Sequence, residues 1–86
     1  MANFKGKMYN IHSSNVDKVG WEYDEENKVG VMRVQFKNGR TYDYFPVSKT
    51  MYDQFWKEEK KGSWIQTELV KAPSVSYEEV TTEDEE

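Results

Sequence analysis

Val29-Gly30-Val31-Met32-Arg33-Val34-Gln35-Phe36-Lys37-Asn38-Gly39-Arg40-Thr41-Tyr42-Asp43-Tyr44-Phe45 is the stretch on which the fold turns. Met32, Val34 and Phe36 alternate with Arg33 and Gln35, the period of two that sends one side of a strand into a core and the other into water. Thr41 to Phe45 is a second run of strand formers, ended by Pro46, which has no backbone donor for a ladder. Between them, Asn38-Gly39 is the strongest short hairpin signal, because a type I′ turn needs positive φ at both central residues. A two-residue loop makes Lys37 oppose Arg40, Phe36 oppose Thr41, Gln35 oppose Tyr42, Val34 oppose Asp43 and Arg33 oppose Tyr44. Opposed residues share a face and successive residues alternate. Met32, Val34, Phe36 and Phe45 then fall on one face. Arg33, Gln35, Lys37, Arg40, Tyr42 and Tyr44 fall on the other, together with Val29 and Val31.

Upstream, Val19, Trp21 and Tyr23 alternate with Lys18, Gly20 and Glu22, which predicts a further strand. The polar turn Asp24-Glu25-Glu26-Asn27 joins it to the hairpin. With four loop residues there, Val19 and Trp21 join the Met32 face. Downstream, Ser48 is an N-cap for a helix, with Val47 and Tyr52 placed as a hydrophobic staple. Met51, Tyr52, Phe55 and Trp56 lie on one side of that helix, and Lys60-Lys61-Gly62 closes it. Ser63-Trp64-Ile65-Gln66 reads as a capping box opening a short helical turn, with a strand over Ser63 to Val70 as the rival. Pro73 stops either one.

The fold class expected is therefore α+β: a three-stranded antiparallel β-meander followed by an α-helix and a short helical turn. The alternative is a small SH3-like β-barrel with one helix, should Trp64–Val70 be a strand. Residues 1–12 form an N-terminal arm, 13–72 the domain and 73–86 an acidic tail expected to be disordered.

Composition agrees with one small domain. The chain has 86 residues, and 15% of them are aromatic, too many for a disordered acidic protein. Its formal charge is −4, but residues 78–86 hold six acids and no base. Taking those six from sixteen acids leaves ten against twelve bases, so the rest of the chain is near neutral at +2. With no Cys, disulfides, thiolate zinc sites and cysteine nucleophiles are excluded. No apolar run reaches the roughly 18 residues that a membrane span needs. The N-terminus lacks a signal-peptide core, and the expected compartment is the cytoplasm.

Neither catalytic nor metal-ligating residues are expected. His12 is the only histidine, no acids are grouped with it, and Asp24-Glu25-Glu26 lacks the spacing of a calcium loop. No Gly-rich phosphate loop is present, and no cofactor is implied.

The candidate site is the face holding Tyr42, Tyr44, Arg33, Gln35, Lys37 and Arg40. Aromatic rings beside cations on an open sheet suit RNA or another single-stranded nucleic acid, since bases stack on rings and phosphates meet cations. The structural alternative is that the tyrosines only stabilise the sheet through cross-strand pairs. A second candidate is a protein-interaction module, such as a phage factor binding a host protein, anchored by Trp56 and Trp64. The third is a homo-oligomer that buries the tyrosine face.

The order Ser13-Ser14, Val19-Gly20-Trp21, Phe36, Asn38-Gly39, Tyr42-Asp43-Tyr44, Val47, a helix and Lys61-Gly62 resembles the KTSC domain over roughly residues 13–72. That family is named for the C-terminus of some lysyl-tRNA synthetases and also includes small stand-alone proteins of bacteria and phages. Its hallmark Tyr-x-Tyr is matched by Tyr42 and Tyr44. The resemblance implies a domain of uncharacterised function, with RNA binding suggested by attachment to a synthetase. It also implies the host cytoplasm for a phage-encoded member. The acidic tail and Trp64-Ile65, where an aromatic-Asn pair is expected, depart from the pattern.

Overall fold

A computed structural model of the chain describes residues 6–80. Its backbone is organised by three consecutive antiparallel strands, with a further strand added at each side. In chain order these are β1 (Tyr9–Asn10), β2 (Val16–Asp24), β3 (Val29–Phe36), β4 (Thr41–Phe45) and β5 (Ser76–Val80). The sheet order is β1-β2-β3-β4-β5, an open sheet among the described residues, so the alternative of a closed barrel does not hold. The meander is present as β2-β3-β4, but the sheet has five strands rather than three. The arm supplies β1, and part of the segment expected to be disordered supplies β5; residues 81–86 of that segment lie outside the described residues.

Local chemistry sets the ends of these elements. In the turn after β2, the Asp24 carboxylate accepts bonds from the backbone N–H of Glu26 and Asn27 and from Asn27 Nδ2 at 2.8 Å. Lys28, at φ 56, completes a four-residue connection. Val19 pairs with Val34 and Trp21 with Met32, so all four share a face as expected.

The β3–β4 turn departs from expectation, and this matters most for function. The loop has three residues, Lys37–Gly39. Phe36 N–H donates to Arg40 O at 2.8 Å, and Gly39 N–H donates to Phe36 O at 3.0 Å. Only Gly39, at φ 95, takes positive φ here; Asn38 does not, and instead accepts the Arg40 N–H on its side-chain oxygen at 2.9 Å. This is a tight turn followed by a glycine bulge rather than a type I′ turn. The register slips by one: Met32 pairs with Tyr44, Arg33 with Asp43, Val34 with Tyr42 and Gln35 with Thr41. A one-residue slip transfers every side chain of a strand to the other face. Tyr42 and Tyr44 therefore join Met32 and Val34, while Arg33 and Gln35 face the opposite way. The physical reason is Asp43. The expected register puts its carboxylate opposite Val34 on the core face, where a charge without a partner is costly. The observed register gives it Arg33.

Helices cover the tyrosine face. Helix α1 (Lys49–Lys57) starts where expected: the Met51 N–H donates to Ser48 Oγ at 3.1 Å. It ends earlier than expected, and Lys61 and Gly62 open α2 (Lys61–Ile65) instead of closing α1. Ser63 is thus inside α2, not its cap, and Lys60 in the cap position makes no side-chain capping bond. A π-helical turn, Gln66–Val70, continues α2, so the rival strand over 63–70 is absent. Tyr52 and Phe55 of α1, Trp64 and Ile65 of α2 and Leu69 of the π-turn pack on Val16, Val19, Met32, Val34, Tyr44 and Val47. Burying each such side chain contributes roughly 1.5–3 kcal/mol.

A connector ties the sheet to α1. After the cis Phe45–Pro46 bond, Val47 N–H donates to Gly30 O at 2.9 Å, and Trp21 Nε1–H donates to Val47 O at 2.7 Å. Gly30 permits this approach: a Cβ there would collide with Val47 O and lie 2.8 Å from the Trp21 ring. No helix among the described residues is long and apolar enough to cross a membrane.

Candidate functional site

The register brings four aromatic rings together at one end of the helix-covered face. Tyr42 sits 5.9 Å from Phe36, its neighbour across the hairpin, and 6.3 Å from Tyr44. From β5, the Tyr77 ring lies 5.8 Å from Tyr42 and 6.2 Å from Tyr44. Tyr44 is 4% exposed and Tyr77 66% exposed, so the cluster grades from core to solvent. These rings and the π-turn residues Gln66 and Val70 enclose a cleft of about 420 Å³, with Asn38 and Arg40 also lining it. That volume lies within the usual range for small-ligand sites.

Electrostatics in the cleft are mild. The Arg40 side chain is 62% exposed, and its guanidinium lies 3.8 Å from the Glu79 carboxylate. A side-chain hydrogen bond with Tyr42, and then Glu79, raise its pKa further above the ordinary value. Burial, followed by the neighbouring Tyr42 and Tyr77, pushes the Tyr44 hydroxyl up to about 12. Tyr44 is therefore a neutral wall at any physiological pH. Among the described residues, the cleft offers aromatic surface, the amides of Asn38 and Gln66 and the Arg40 cation. That set can hold a flat ring and hydrogen-bond its edge.

Of the residues expected to act together, Tyr42, Tyr44 and Arg40 do meet. Arg33 and Gln35 lie on the other side of the sheet. Arg33 Nε and Nη2 donate to the two Asp43 carboxylate oxygens at 2.7 and 3.0 Å. Lys37 is exposed in the turn and does not line the cleft. Phe36, Asn38, Gln66, Val70 and Tyr77 also line the cleft, beyond the residues that the sequence pattern points to. A weak signal exists for Tyr77: Val75 and Tyr77 are strand formers two residues apart, just before an acid run that masks them.

The two tryptophans differ. Trp64 is 9% exposed and packs edge-on against Phe55 at 5.3 Å, so it is a core residue and not an accessible anchor. Trp56 is partly open. Its ring contacts Phe55 at 5.1 Å and Tyr9 at 6.1 Å, with the Lys61 ammonium 5.8 Å away. It borders a shallow hollow with Ile11, His12, Glu59 and Lys61. Among the described residues, no group of three or more His, Asp or Glu could hold a metal ion.

Tyr42-Asp43-Tyr44 stands at the centre of this geometry. The KTSC domain model matches residues 12–72. The chain belongs to the KTSC domain family. A KTSC domain protein from Yersinia pestis, known from its crystal structure, superposes with a TM-score of 0.67 at 22% identity, covering 88% of this chain and 99% of that one. At that identity the likeness extends to the KTSC fold alone. Among curated proteins, none matches the sequence.

Proposed function

We propose that this KTSC domain is a non-enzymatic module that binds single-stranded nucleic acid in the cytoplasm, receiving an unstacked base in the tyrosine cleft. The observation supporting this reading is the placement of Tyr42 beside Arg40 at the mouth of an aromatic cleft, with the Gln66 and Asn38 amides beside them. A base stacked on a tyrosine contributes roughly 1–3 kcal/mol. Arg40 meets the adjoining phosphate. Because Arg40 is the one cation lining the cleft among the described residues, the salt dependence is shallow, with a slope of about −0.7 in log K against log salt.

Fluorescence anisotropy with a labelled single-stranded RNA tests this. Tyr42→Ala lowers affinity by roughly 5- to 150-fold, the stacking range above. Arg40→Gln flattens the salt dependence. Unchanged binding in Tyr42→Ala overturns the assignment, as does a wild-type chain that binds no oligonucleotide. In the latter case the open Trp56 and Tyr9 edge becomes the leading surface, as part of a protein-interaction module.

A further inference from the structure

One wall of the cleft is a strand with no fully buried residue. Ser76 to Glu79 of β5 are exposed and only Val80 is half-buried. The strand pairs with β4 along its length, from Thr41 opposite Val80 to Phe45 opposite Ser76. It follows a connection containing Pro73, and the family match stops at residue 72, short of it. Yet β5 lays Tyr77 against both Tyr42 and Tyr44 and brings Glu79 to Arg40. It also opens the segment 78–86, with six acids and no base.

The strand therefore does two things at once. It covers the rings on which a base would stack, and it supplies an anion to the cation that would meet the phosphate. We propose that β5 is an autoinhibitory strap, an internal stand-in for the ligand that single-stranded nucleic acid displaces from the cleft. This rests on the nucleic-acid reading above. The attachment suits such a role. An exposed ion pair contributes about 0–1 kcal/mol. An edge strand with no buried side chain opens more readily than the sheet centre. A ligand that needs the open form binds more weakly in proportion to how little of that form exists.

The sign of two substitutions tests the strap. If β5 competes, both substitutions tighten binding of a labelled oligouridylate to the full chain: Glu79→Gln by up to about fivefold, the range of a lost exposed ion pair, and Tyr77→Ala by roughly two- to tenfold, the range of a lost aromatic pair. If Tyr77 is instead a permanent wall of the site, Tyr77→Ala weakens binding, and the strap is overturned. Both positions are exposed, so folding is not at risk. Hydrogen exchange on the unmodified chain gives a second readout. On adding the oligouridylate, β5 amides lose protection while β2 and β3 keep theirs; retained β5 protection with bound ligand overturns the strap. Binding that neither substitution changes overturns the strap alone. No binding by any of the three chains overturns the cleft reading, and the strap with it.

Discussion

Arg33 and Asp43 face each other across β3 and β4 and form a two-pronged pair at 2.7 and 3.0 Å, with Asp43 only 1% exposed. The pair lies on the side of the sheet away from the helices and marks the register that places Tyr42 and Tyr44 over the core. Removing one partner strands the other charge in a buried place. Arg33→Ala is expected to destabilise the domain by ~3–5 kcal/mol, and the double variant Arg33→Leu/Asp43→Val to recover most of that. Urea unfolding followed by tryptophan emission measures both. A near-neutral Arg33→Ala would show that the pair does not hold the register.

The hairpin loop makes a related prediction. Gly39 carries the positive φ of the bulge, so Gly39→Ala costs about 1–2 kcal/mol. Deleting Lys37 leaves Asn38-Gly39 as a two-residue loop, the length preferred for a type I′ turn. Phe36 still pairs with Arg40, and the register is kept. The shortened chain is therefore expected to fold with native near-ultraviolet circular dichroism. A lost tyrosine signal would contradict this.

Gly30 allows the Val47 carbonyl to reach the Trp21 indole N–H. Gly30→Ala forces a methyl group into that contact and is expected to cost about 1–3 kcal/mol. Trp21 loses its hydrogen bond in the process. Since the chain has three tryptophans, the emission change is read against a Trp21→Phe background.

Alkaline pH probes Tyr44. Its folded-state value is raised from the ordinary 10.0 to about 12, mainly by burial. A raised value means that the unfolded chain ionises first. The Tyr44 contribution is thus complete below pH 10 and is lost as pH climbs toward 12. Thermal unfolding across that window should show a falling midpoint. Tyr44→Phe, with no proton to lose, should fall less steeply.

Much of the architecture could be read from the chain. The alternation of Val19 and Trp21, of Met32 and Val34, and the run Thr41–Phe45 are local patterns, and each became a strand. Ser48 capped its helix because capping depends on residues within one turn. The family was visible in short motifs in a fixed order. Asp43 carries the opposing signal: a two-residue loop places its charge opposite Val34 on the core face, whereas one register step away it meets Arg33.

The sequence alone determined that this chain makes strands, a hairpin and a helix within the KTSC family, since those features rest on neighbours in the chain. Only the tertiary structure decided which way the tyrosines point. The choice between a two- and a three-residue loop changes little locally, and burial of Tyr44 with pairing of Arg33 and Asp43 settles it. Tertiary structure likewise decided that Tyr77 and Glu79 lie on Tyr42 and Arg40. That contact joins residues more than thirty positions apart, and it depends on the β4 edge being there to receive them.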